Sequence, residues 1–110
     1  MEDLQLFCEQ LVRLNAAMKE LFDKGNLALI LEMHAAIKEM HRIERASKDS
    51  AFQSLHGDTE IIYKNFDMIL AVIRTTENDE LDAGAQTALN RLLHNIDTAV
   101  INIATALNLI

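Results

Sequence analysis

The sequence has no proline, no tryptophan, a single cysteine and only three glycines in 110 residues. Each scarcity removes a class of structure. One cysteine, Cys8, permits no internal disulfide, so a small disulfide-stapled scaffold is excluded. With Gly25, Gly57 and Gly84 as the only strong breakers, the chain lacks the frequent turns of an all-β meander. Its longest uncharged run, Thr98 to Ile110, is thirteen residues and holds Asn102 and Asn108. A bilayer helix needs about 20 apolar residues, so this run is too short to be one. The opening residues, Met1 to Gln10, lack the basic flank and apolar stretch of a signal peptide. The expectation is one domain over residues 1–110, located in the cytoplasm, with no membrane association.

What is present is apolar and acidic. Half of the residues are hydrophobic and a quarter are charged, which is the composition of a folded globular chain. The net charge is −7, and it is unevenly spread. Residues 1–23 hold five acids and two bases, residues 24–56 four and five, and residues 57–110 eight and three. An acidic surface repels phosphate backbones, so nucleic acid is not an expected partner.

Helical spacing dominates the pattern. Leu4, Phe7, Leu11, Leu14, Met18 and Leu21 alternate steps of three and four, with Cys8 and Phe22 widening the stripe. Asn15 projects on the same side, as a buried amide fixing register would. Lys24-Gly25-Asn26 ends this helix with a glycine suited to a left-handed cap. A second helix starts near Asn26 and carries Leu27, Ile30, Leu31, Met33, Ile37, Met40 and Ile43. From Glu44 to Ser50 no large apolar residue follows. Phe52 and Leu55 then resume in phase, so the helix either continues to Leu55, the favoured reading, or breaks near 44–50 and leaves a short extra turn. Gly57-Asp58 reads as a stop and restart, with Asp58 as N-cap. A third helix over 59–77 carries Ile62, Phe66, Ile69 and Ile73, flanked by Ile61, Tyr63, Leu70 and Val72. The fourth runs on Ala85, Leu89, Leu92, Ile96, Ala99, Ile103, Ala106 and Ile110, with Leu93, Val100 and Leu107 as a second line. The expected fold is all-α, an antiparallel four-helix bundle.

The uncharged tail divides on this wheel. Ala99, Val100, Ile103, Ala106, Leu107 and Ile110 fill about a third of the circumference, an ordinary core stripe. Ile101 and Leu109 fall outside it, and Leu6 and Met68 are similar outliers on helices one and three. Scattered apolar residues on a surface are normal. The competing reading is a helix packed on two sides, the second against another chain. Ile101 and Leu109 are therefore the candidate oligomer interface.

Catalytic and metal chemistry finds little support. Carboxylate-bridged metal bundles use Glu-x-x-His on inward faces. The pairs here are Glu32-x-His34, Glu39-x-His41, His41-x-x-Glu44 and His94-x-x-Asp97. Residues two apart point about 200° apart on a helix and cannot share an ion. His34 and His41 share one edge of helix two, but two ligands are too few for zinc. His94 lies opposite the apolar seam and should face solvent. Histidine phosphotransfer needs an exposed histidine, a nearby cation and small neighbours. His34-Ala35-Ala36-Ile37-Lys38 supplies most of that, but no glycine opens the site. Glu77, Asp79, Glu80 and Asp82 lack the register of a calcium loop and suit the start of a helix better. No nucleophile elbow or phosphate loop is visible, and Cys8 lies on the apolar stripe. No metal, cofactor or catalytic residue is expected.

One surface feature stands out. Lys38, His41, Arg42, Arg45 and Lys48 gather along one side of helix two, which His34 joins. A solvated face paired with nearby acids is the plainer reading. The functional reading is docking of an acidic protein segment. The expectation is a non-enzymatic protein-interaction module, such as a small chaperone, inhibitor or adaptor, that forms homodimers or higher homo-oligomers. The alternatives are a ligand- or metal-binding bundle built on His34 and His41, and a histidine phosphotransfer domain.

Overall fold

The computed structural model describes residues 2–26, 28–74 and 83–108. Four helices account for nearly all of them: α1 (Glu2–Lys24), α2 (Leu29–Ala46), α3 (Ala51–Arg74) and α4 (Ala83–Ala106). No strand occurs among the described residues. The fold is all-α, and α1 packs on α2 as α3 packs on α4, the pairing a four-helix bundle requires. By its internal contacts the chain divides into two compact units, residues 1–57 and 58–110.

In the first unit, α1 buries Phe7, Leu11, Leu14, Ala17, Met18 and Leu21. These are the positions a 3.6-residue repeat brings to one side. Gly25 ends the helix at φ +64°, and its N–H donates to the Leu21 carbonyl at 2.8 Å. That left-handed geometry suits glycine and closes the last turn. Asn26 then turns the chain, its side-chain oxygen accepting from the Ala28 N–H at 3.0 Å. From α2, Ile30, Met33, Ala36, Ile37, Met40 and Ile43 are buried. Arg13 on α1 pairs with Glu32 on α2. Ten residues back on α1, the charge of Asp3 reaches Arg42, ten residues on along α2. Opposite chain directions in step are the mark of an antiparallel pair. The Phe52 ring meets Phe7 edge-on, with centroids 5.2 Å apart.

The break after α2 corrects the favoured reading of a helix continuing to Leu55. The helix ends at Ala46, and Ser47 adopts an extended backbone (φ −80°, ψ 145°). Ser47 Oγ accepts from the Asp49 N–H at 3.1 Å, and Asp49 Oδ1 accepts from the Ala51 N–H at 3.0 Å. Short polar side chains thus take over backbone donors that a helix would use, and Asp49 caps the next helix. No isolated extra turn follows either, because Phe52 and Leu55 belong to α3.

The expected stop at Gly57-Asp58 is also overturned, since α3 runs through it. Phe52, Leu55, Thr59, Ile62, Phe66 and Ile69 are all buried and alternate steps of three and four. Burial along that unbroken line outweighs the roughly 1 kcal/mol a mid-helix glycine costs. In the second unit α4 buries Leu89, Leu92, Leu93, Ile96, Ala99, Val100 and Ile103. Ala106, expected on the seam, is exposed, as is Phe22 on α1, and Ile73 is half-buried. Leu27, Leu109, Ile110 and the acids from Glu77 to Asp82 lie outside the described residues.

The two glycines should respond with opposite signs. A Cβ at Gly57 would meet nothing within 4 Å, and φ there is not positive. Gly57→Ala should stabilise the protein by about 0.5–1 kcal/mol. Gly25→Ala, forced to φ +64°, should destabilise it by roughly 1 kcal/mol. Urea unfolding of the two variants checks both signs. A destabilised Gly57→Ala would show that α3 does not pass through this residue.

Candidate interaction face on α2

The rotation of α2 is fixed by its buried line, Ile30, Met33, Ile37 and Met40. The next residue after each, turned 100° round the helix, is Leu31, His34, Lys38 and His41. Lys38, His41, Arg42, Arg45 and Ala46 together line an open surface hollow of about 470 Å³. Four of the five residues expected to bind a partner are therefore assembled in one place. Lys48 is exposed but does not line the hollow. Ser47 leaves helical geometry, so the helical spacing that placed Lys48 beside Arg45 no longer holds.

Two acids of α2 are engaged by arginines, one of them at the edge of the hollow. Glu32 faces α1, where its carboxylate accepts from the Arg13 Nε. Arg13 also donates to Gln10 Oε1 at 3.4 Å. Hydrogen bonding from Arg13 holds the Glu32 carboxyl below the usual carboxylate range and raises the guanidinium in turn. Glu39 takes two bonds from Arg42, one of them from Nε at 3.0 Å, and its carboxyl is likewise lowered. Of the four cations, Arg42 is thus neutralised by its own helix. No ion pair is formed by Lys38, Arg45 or Lys48 among the described residues.

The histidines are not grouped for metal binding. His34 is half-buried, while His41 and His94 are exposed. No three His, Cys, Asp or Glu among the described residues could hold an ion together. Cys8 is half-buried, and burial pushes its thiol up, away from the reactive thiolate.

Several apolar side chains stand in solvent. Ile101 is 47% exposed, and Leu6 and Met68 are exposed as their wheel positions require. Leu109, the second candidate for an oligomer interface, falls outside the described residues. Leu31, taken from sequence as part of the apolar stripe of helix two, is instead 72% exposed. It stands one step beyond Ile30 and misses the face that packs on α1. Ile61, expected to flank the apolar stripe of helix three, is exposed, and Val12, off the stripe of helix one, is 63% exposed.

The α3·α4 pair carries a polar seam that the sequence reading missed. Asn95 Nδ2 donates to Asn65 Oδ1 at 3.0 Å, and Asn102 Nδ2 donates to Asp58 Oδ1 at 3.2 Å. Asp58, expected as an N-cap, is thus an inter-helix acceptor. Seven residues back on α3 match seven on along α4, so this pair too is antiparallel.

No helix among the described residues is long and apolar enough to cross a membrane. Comparison of the chain with protein-family models, curated proteins and solved structures finds no match.

The Arg13–Glu32 pair sets a pH dependence. Because folding lowers the Glu32 carboxyl, its stabilising contribution is complete above the ordinary carboxylate range. It is lost as pH falls through the lower folded value. Both partners are largely solvent-exposed, so the effect is small. Glu32→Gln should be less stable than wild type at pH 7, with the difference shrinking as the pH is taken below the carboxylate range. Urea midpoints measured across that range check it. A constant difference would show that the pair is not the cause.

Proposed function

We propose that the protein is a non-enzymatic interaction module of the small chaperone, inhibitor or adaptor kind. It docks an acidic protein segment on the outward side of α2 and also self-associates. The observation that carries this reading is the sorting of charge on α2. Lys38 and Arg45, neither in an ion pair among the described residues, border one hollow with His41 and with Arg42, which Glu39 neutralises, while Glu32 is engaged by α1. On a chain of net charge −7, that concentration of cations is where a negatively charged partner meets least repulsion. Exposed Leu6, Met68 and Ile101 support self-association, since each is apolar surface turned outward from a packed helix.

Two measurements test the two halves of the reading. A fluorescent Asp/Glu-rich peptide, followed by anisotropy, should bind the wild type and weaken as salt rises. Lys38→Glu/Arg45→Glu should bind it at least tenfold less tightly, since reversal replaces attraction with like-charge repulsion. Equal binding by the double variant would remove α2 from the reading. Light scattering after size exclusion, over a hundredfold range of concentration, should give a multiple of 12.4 kDa. A monomer throughout would end the self-association half.

A further inference from the structure

Five residues form one line on the outward side of α2, with His34 half-buried and the other four exposed. Leu31, His34, Lys38, His41 and Arg45 follow steps of three, four, three and four. This line copies the buried one, Ile30, Met33, Ile37 and Met40, moved on by a single residue. It contains no acid, and over its 14 residue steps it extends about 21 Å along the helix. Leu31, at its start, is the most exposed of the large apolar residues described. Lys38 and Arg45 follow it at successive heptad positions and line the hollow.

We propose that the docked partner is an acidic α-helix of another protein, laid along this line. It would place an apolar side chain against Leu31 and carboxylates at Lys38 and Arg45, one and two heptads away. The proposal rests on the reading of α2 given above and adds the partner's conformation and its residue pattern. Spacing separates a helix from an extended chain. Heptad positions on α2 are about 10.5 Å apart, and a facing helix returns the same side to the seam at that interval. An extended chain covers that distance in about three residues, which turns its side chains to the opposite face. Such a chain would satisfy Leu31 and Lys38 from different sides. Ala35, exposed beside the line, leaves room for the approach of a second backbone. Charge decides the partner's sign, because Lys38 and Arg45 have no ion pair among the described residues.

The test uses the whole chain and three labelled peptides of identical composition. One carries leucine followed by glutamates at successive heptad positions. The second has the same residues shuffled off that spacing, and the third has them in heptad order with D-amino acids at alternate positions, which prevents a helix. The heptad peptide should bind at least tenfold more tightly than either other, and should gain helical circular dichroism on binding. Leu31→Glu should cost the heptad peptide roughly tenfold or more, the scale of losing one buried leucine contact. The shuffled peptide should lose less, only what the added carboxylate repels, and Leu31→Ala should leave it unchanged. Leu31→Ala provides a second variant should the glutamate perturb folding. Equal affinity for all three peptides would overturn the helical partner while leaving acidic docking intact. Absence of binding by any of them would overturn both. Preferential binding to phosphatidylserine vesicles over the heptad peptide would also overturn the proposal, by assigning the line to a lipid surface.

Discussion

The burial of Met33, Ala36 and Met40 determines more than the stability of one helix. All three side chains are fully enclosed. A helix has only one rotational degree of freedom once its axis is placed, and these three residues consume it. Everything else on α2 is then a matter of angle. Glu32 must face Arg13, Leu31 must stand in solvent, and Lys38 and Arg45 must share a side. The direction in which the cationic face points is thus a consequence of where the methionines go, and a one-residue change in the phase of the core would turn the whole face by 100°.

The same angular logic explains which parts of the structure could be read beforehand. The stripes of α1 and α4 were legible because their apolar residues repeat without interruption over many turns. The basic cluster was legible for the same reason, being periodic within α2. Helix ends were harder. Gly57 looks like a breaker in isolation, yet buried Leu55 and Thr59 on either side carry the stripe across it. Ser47 and Asp49 look like ordinary polar residues, yet their side-chain bonds to backbone N–H groups make the real break. In both places the outcome depends on a competition between tertiary burial and local hydrogen bonding, and residue type alone does not fix the winner.

Contacts between polar side chains on different helices were illegible for a different cause. Asn65 with Asn95, and Asp58 with Asn102, meet only because α3 and α4 run antiparallel in a particular register. None of the four is unusual on its own helix. Pairs of this kind contribute little net energy at an exposed position. Their effect is on alignment, since sliding one helix by a turn against the other would leave both pairs unmade.

Gly57 has one more consequence, in the dynamics of the backbone. It lies within a continuous helix, at the residue where contacts divide the chain into 1–57 and 58–110. Glycine gains the most conformational entropy of any residue when a helical turn opens. Around it Gln53, Ser54 and His56 are exposed, while Leu55 and Thr59 are buried. The glycine lowers the cost of opening that turn, and the burial of those two side chains is what holds it closed. The amide protons of that turn should trade with solvent more readily than those beside Ile62, Phe66 and Ile69.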